Sequence, residues 1–206
     1  MIEAFSLKTS HLFGSALASQ ARLRHRVFVQ RRGLPHMHYD GMEYDEFDTP
    51  AAFYLVWRDP DAEVRGMFRL VPTTVPYMLE QYWPHLCLRR PLPKRANVWE
   101  VSRVCLDRGY QGSARKMIIP ELLCGLQEFC DENGVRAVVG VTRQHLVTHY
   151  IPAGVEWLGE PAEIEGEREA AFWIPADQLR PEFHCKLYGL PQRLLAPNPN
   201  NGRVAA

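Results

Sequence analysis

Two stretches of this chain carry charges where a buried strand or a packed loop would carry apolar side chains. Asn97 to Val104 reads as a strand, because Val98, Val101 and Val104 are β-branched and Trp99 is aromatic. Period-2 alternation puts Val98, Glu100 and Ser102 on one face and Trp99, Val101 and Arg103 on the other. A carboxylate and a guanidinium in such a strand are costly unless each is paired or used. A structural ion pair is one reading and a working acid is the other. Upstream, Glu43, Asp45, Glu46 and Asp48 form an acidic cluster with Tyr44 and Phe47 interleaved, so part of that segment is expected to pack. Downstream, the segment Phe68 to Thr73 puts a second arginine, Arg69, at the end of a strand. Arg24 shares the apolar face of a helix with Leu17, Ala21 and Phe28, and is expected to meet an acidic partner or a ligand. Finally, Arg108-Gly109-Tyr110-Gln111-Gly112-Ser113-Ala114 is a Gly-containing turn opening onto a helix. Its N–H groups suit phosphates or a pantetheine arm, although an ordinary turn would read the same way.

The elements that must position these groups follow in order. Ile2 to Ser6 is a short strand and Gly14 to Gln30 an amphipathic helix. Residues 33–50, with Gly33, Pro35, Gly41 and Pro50, form a long loop, and long ordered loops are usually functional. Ala51–Trp57 and Val64–Val71 form a hairpin about Asp59-Pro60-Asp61, followed by a short helix at Tyr77–Tyr82. After the Gly turn, Ile119, Leu122, Leu123, Leu126 and Cys130 recur at helical spacing, and Asn133-Gly134 caps that helix. A buried strand at Arg136–Val141, a helix at Gln144–Ile151 ended by Pro152, strands near 155–158, 162–164 and 170–174, and a largely helical 175–188 complete the order. This implies one domain over residues 1–190, an α/β three-layer α-β-α sandwich, with 191–206 as a flexible tail.

Composition narrows the class. Lys+Arg and Asp+Glu are equal at 24 each, which argues against nucleic-acid binding. No apolar run reaches a membrane span, and the first residues lack a signal-peptide pattern. Five cysteines without a C-x-x-C read as reduced thiols in a cytoplasmic protein. His145 and His149 have zinc-like i, i+4 spacing, but no acid follows His145 and no third ligand stands out, so no metal is expected. Cys105 reads as a core thiol.

The combination of motifs carries more than any one of them. Arg24-x-x-x-Phe28, Glu43-x-Asp45-x-Phe47-Asp48, Arg69-Leu70-x-Pro72-Thr73, Pro76-Tyr77-Met78-Leu79 and Trp99-Glu100-x-Ser102-Arg103 together resemble the acyl-homoserine-lactone synthases, the LuxI-type autoinducer synthases of quorum sensing. The likeness spans about residues 20–110. It implies a fold resembling the GCN5-related N-acetyltransferases. It also implies a reaction in which S-adenosylmethionine is acylated from an acyl thioester, then lactonised with release of methylthioadenosine. S-adenosylmethionine is there a substrate, so no cofactor is implied.

Carried over residue by residue, the resemblance makes Arg24, Phe28, Asp45 and Asp48 the S-adenosylmethionine set and Glu100, Arg103 and Arg69 the catalytic set. Asp45 and Asp48 would attract the cationic groups, Phe28 would offer a cation–π face, and Glu100 would take the amine proton. Arg69 and Arg103 would organise the acids. Arg108, Gly109, Gly112, Ser113, Gly140 and Thr142 would hold the acyl thioester. Leu34 stands where the family usually has Trp, and Gly140 aligns where members making 3-oxo products often have Thr. Gly140 would leave room for bulk near the thioester. The segment before Gly154 lacks the basic residues that suit an acyl carrier protein. The expected donor is therefore acyl-CoA, with a short branched or aromatic acyl group, and a carrier-linked donor is the alternative. A plain N-acyltransferase and a non-catalytic sensing module are the competing functions.

Overall fold

The computed structural model describes residues 2–197 apart from 36, 152 and 180. The strands are β1 (Ile2–Ser6), β2 (His38–Tyr39), β3 (Met42–Glu43), β4 (Phe53–Arg58), β5 (Val64–Pro72), β6 (Val98–Leu106), β7 (Ala137–Thr142), β8 (Glu156–Trp157), β9 (Ala162–Ile164) and β10 (Glu167–Pro175). The helices are α1 (Ala16–Arg24), α2 (Met78–Tyr82), α3 (Ile118–Asn133), α4 (Gln144–Tyr150) and α5 (Pro181–Tyr188). The main sheet runs β1-β4-β5-β6-β7-β10-β8, with β9 on β10, and only the β6–β7 pair along that path is parallel. The 33–50 segment is more ordered than its composition implies, because β2 and β3 pair within it.

Alternation along the strands builds two buried faces. Leu55, Phe68, Leu70, Val101, Val138, Phe172 and Ile174 pack with Leu122, Leu123 and Leu126 of α3. The opposite face carries Tyr54, Val56 and Met67 against Leu23 and Val27, and Val71, Val98 and Val139 against Leu79. Helices on both faces give the expected three layers. Pro120 sits in the first turn of α3, where its missing N–H costs nothing, and Gly134 ends the helix at φ +66°, the left-handed position that favours glycine. Pro152, the expected stop of α4, lies outside the described residues.

Two departures from regular geometry shape the centre of the sheet. Arg69 pairs with Ser102 and Met67 with Cys105, so Phe68 alone faces the two residues Arg103 and Val104. This β-bulge holds Arg103 at φ +48°, strained for a residue with a Cβ. The bulge overturns the simple alternation. Arg103 does not point away from Glu100 but joins it on the side of the acids, while Val104 is exposed. β6 and β7 part company ahead of the bulge, after Glu100 and Val139. They pair only over Val98–Glu100 and Ala137–Val139, although both strands continue.

The helix around Arg24 also changes character. After α1 the chain continues as a π-helix from His25 to Arg31. The wider turn brings Phe28, Arg31 and Arg32 to the opening between β6 and β7.

The flexible tail is a correction. Leu194 and Leu195 are buried, Ile2 N–H donates to Leu194 O at 2.9 Å, and Ala196 N–H donates to Ile2 O at 2.7 Å. The Glu128 carboxylate accepts from Leu194 and Leu195 N–H at 2.8 and 2.9 Å. Apolar leucines in a Pro/Asn-rich stretch were the overlooked signal; residues 198–206 lie outside the described part. Ending the chain after residue 190 should lower unfolding free energy by about 3–6 kcal/mol, at ~1.5–3 kcal/mol per buried Leu. Urea unfolding checks this, and an unchanged midpoint would remove the segment from the cooperative unit.

Candidate active site

Three guanidiniums and three carboxylates meet beneath the 33–50 segment. Arg24 donates to Asp48 at 2.7 and 2.9 Å and also to Glu43. Arg69 donates to Asp45, and to Asp48 at 3.2 Å. Arg103 reaches Asp45 at 2.7 Å and Glu43 at 3.0 Å. Tyr54 hydroxyl donates to Asp48 at 2.8 Å, and the backbone N–H of Asp45 does so at 2.8 Å. Arg24 and Arg69 have 0% exposure, so this network lies inside the fold.

Burial opposes charge on Arg24, Arg69 and Asp48, yet the pairing wins there. Burial alone would raise the Asp48 pKa, but hydrogen bonding and charge from Arg24, with Arg69, hold it well below the usual range. Burial likewise works against the Arg24 cation, and Asp48, Glu43 and Asp45 more than offset it. Phe28 is used differently from expectation: Arg103 and Arg32 lie over its ring at 5.0 and 5.9 Å. Its cation–π partners are therefore arginines of the chain.

Glu100 stands beside this network at the start of the β6–β7 opening. Its carboxylate accepts from Leu79 N–H at 2.7 Å and Met78 N–H at 3.2 Å. The Ser102 hydroxyl helps hold its pKa down and accepts from Arg69 Nε at 3.1 Å. Burial pushes its pKa up, partly countered by Leu79 N–H and Arg69. The result is an acid held in a nearly dry setting with a proton affinity above that of an ordinary glutamate.

Two cavities flank these groups. The larger, about 350 Å³, enters where β6 and β7 separate and runs toward α3. Its deep wall is apolar, including Leu123, Leu126, Val138, Phe172, Ile174 and Leu179, and its mouth carries Arg31, Arg32, Arg108 and Arg143. The second, about 300 Å³, is lined by Asp45, Glu46 and Glu165 with Tyr44, Tyr82 and Trp83. Met78, Trp83, Arg103 and Glu165 line both.

Set against the expected residues, Phe28, Glu100, Arg103, Arg108 and Thr142 line the first cavity and Asp45 the second. Arg24, Asp48 and Arg69 line neither; they fix the acids from behind. Gly109, Gly112, Ser113 and Gly140 also line neither cavity. The Gly109 N–H is already given to Asp107 at 2.9 Å, so it is not free for a phosphate. Gly140 is a further correction. A Cβ there would come within 2.5 Å of Val101 O and 2.8 Å of Phe172 Cζ, so the glycine admits chain atoms, not substrate bulk.

Glu165, Glu169, Arg31, Arg32 and Arg143 escaped the sequence reading, since each looks like an ordinary surface charge. A non-glycine φ of +49° at Glu165 marks it only in three dimensions. Cys105 is buried and its thiol is pushed up to about 12 by burial, as suits a core residue. His145 and His149 are exposed, and among the described residues no group of three or more metal-ligating side chains forms.

Asp48→Asn should cost about 3–5 kcal/mol of stability, because Arg24 loses its main counter-charge in a buried setting. The depressed native pKa also fixes the pH dependence. The contribution of Asp48 is complete above the unfolded value of about 4 and is lost as pH falls toward the native value. Denaturant unfolding from pH 6 down to 3 should show a shallower acid slope in the variant.

With this geometry in place, the relatives are informative. Residues 9–182 match the family described as autoinducer synthase. The chain is 33% identical over 168 residues to the isovaleryl-homoserine lactone synthase of Bradyrhizobium diazoefficiens, covering 80% of this chain and 75% of that protein. It superposes with TM-score 0.84 and 29% identity on BjaI, a CoA-dependent acyl-homoserine lactone synthase solved with SAM and isopentyl-CoA, covering 95% and 92% of the two chains. An acyl-CoA N-acyltransferase from Pseudomonas aeruginosa, 15% identical with TM-score 0.55 over 84% of this chain and 99% of its own, shares the fold alone. The chain belongs to the autoinducer synthase family and is an acyltransferase, an acyl-homoserine-lactone synthase.

Proposed function

We propose that the synthase joins its substrates where its two cavities meet, with S-adenosylmethionine in the acidic one and an acyl-CoA in the larger one. The observation that carries this is the shared wall of Met78, Trp83, Arg103 and Glu165. Asp45, Glu46 and Glu165 offer negative charge to a sulfonium and an ammonium, and Tyr44, Tyr82 and Trp83 offer flat faces to an adenine. The apolar depth of the other cavity suits an acyl chain.

Glu100 takes a proton from the ammonium, directly or through one water. The freed amine attacks the thioester carbonyl, the tetrahedral intermediate collapses, and the thiol leaves. The substrate's carboxylate then attacks the carbon bonded to the sulfonium. That C–S bond breaks, the lactone closes, and methylthioadenosine departs with the electron pair. Each step balances without a cofactor or metal. Arg69 and Arg103 act by positioning: Arg69 holds Ser102 and its charge helps keep the Glu100 pKa down, and Arg103 fixes Asp45 at the edge of the acidic cavity.

For the donor, the isovaleryl-homoserine lactone synthase and BjaI with isopentyl-CoA both support a branched acyl-CoA. The five free cysteines and the two substrates suit a cytoplasmic enzyme. No helix among the described residues is long and apolar enough to cross a membrane.

Purified protein given S-adenosylmethionine and isovaleryl-CoA should release methylthioadenosine in step with lactone. Its absence with every acyl-CoA and acyl-carrier donor would refute this reading. Glu100→Gln should lower kcat on the order of 10²-fold. It should also cost about 1–3 kcal/mol of stability, since an amide N–H₂ would face the N–H donors of Met78 and Leu79. In the native enzyme the acid limb of kcat/KM should lie above the ordinary glutamate value and vanish in the variant. Native-like rates would remove Glu100 as the base.

A further inference from the structure

We propose that Arg31, together with Arg32, Arg108 and Arg143, forms the anion subsite that binds the nucleotide phosphates of the acyl donor. This rests on the acyl-CoA reading above and goes beyond it by assigning residues to the part of the donor that does not react.

The four guanidiniums come from three separate segments. Arg31 and Arg32 end the π-helix, Arg108 follows β6, and Arg143 follows β7. All four line the mouth of the larger cavity, at the end away from its apolar depth. An acyl group seated in the depth therefore leaves the distal end of its carrier at the arginines. Arg32 pairs with Glu165 and Glu169 at 3.5 and 3.8 Å, and Arg143 with Glu167 at 3.3 Å. Arg31 and Arg108 have no carboxylate partner among the described residues. Both of the Arg32 ion pairs are made by Nη2, at separations too long for good hydrogen bonds.

The electrostatics agree. Partial desolvation, then Arg108, Arg32 and Arg143, lower the Arg31 pKa. Cations held this close repel one another, and the arrangement is repaid when an anion sits among them. Guanidiniums match phosphate oxygens in paired, directional hydrogen bonds. CoA carries a diphosphate and a 3′-phosphate, whereas a carrier protein's pantetheine arm has a single phosphodiester. Several arginines converging on one mouth fit the former. The expected phosphate cradle, Gly109 with its neighbours, is thus replaced in the main by side chains.

The test compares native protein with Arg31→Gln on isovaleryl-CoA, isovaleryl-3′-dephospho-CoA and isovaleryl-pantetheine, which has no phosphate. Arg31 is exposed, so the variant is expected to fold, and Arg31→Lys should restore part of the loss. The KM for isovaleryl-CoA should rise about tenfold with kcat nearly kept, and the KM for isovaleryl-pantetheine should not move. A rise that disappears with the dephospho donor places Arg31 at the 3′-phosphate; one that persists places it at the diphosphate. An equal rise with isovaleryl-pantetheine, a rise in the S-adenosylmethionine KM instead, or no change overturns the proposal. Calorimetry with CoA alone reads the subsite without turnover. Weaker CoA binding by Arg31→Gln supports it even if no methylthioadenosine forms, and equal binding refutes it.

Discussion

Three arginines and three acids, buried together, are the constraint on which the rest depends. Isolated charges at these positions would be prohibitively costly in a low-dielectric interior, so the segments that supply them are obliged to assemble. Arg24 comes from a helix, Arg69 and Arg103 from adjacent strands, and Glu43, Asp45 and Asp48 from a segment that has little regular structure of its own. The network therefore ties an intrinsically mobile type of segment to the rigid sheet. Asp45 shows the consequence most plainly: its backbone N–H donates to Asp48, its carboxylate meets Arg69 and Arg103, and the same residue lines a cavity. The charges that shape the loop also set the edge of the site.

The sheet supplies the opening that this network borders. Parallel pairing between β6 and β7 lasts for three residues on each strand and then stops, as one strand bulges and the other diverges. Without the bulge, Arg103 would face the apolar side of the sheet and its charge would have no partner there. The strain at Arg103 is thus linked to the pairing it makes possible. Glu100 sits one step before the divergence, close enough to be held by Met78 and Leu79 and still at the cavity wall.

Much of the fold was legible because its signals are local. The β4–β5 hairpin, α3 with its Gly134 cap and the run of β6 all follow from periodicity and turn chemistry. The pairing of Arg24 with acids was also legible, since an arginine on an apolar stripe demands a partner. What escaped was non-local or a matter of one residue. Alternation cannot foresee a bulge, so Arg103 was read onto the wrong face. A glycine in a strand does not say whether substrate or backbone fills the space beside it, and at Gly140 it is Val101 and Phe172. The arginines of the cavity mouth are distant in sequence and become a group only when β6 and β7 separate.

The return of residues 194–196 to Ile2 places a constraint on the order of synthesis. β1 is the edge strand beside β4, and its outer side is met by Leu194, Leu195 and Ala196. Ribosomes deliver β1 long before its cover. During that interval the strand presents unpaired backbone groups and the buried side of Ile2 to whatever is near. The contact that covers the start of this edge is thus one of very long sequence separation, and a nascent chain must extend past Ala196 before Ile2 is protected.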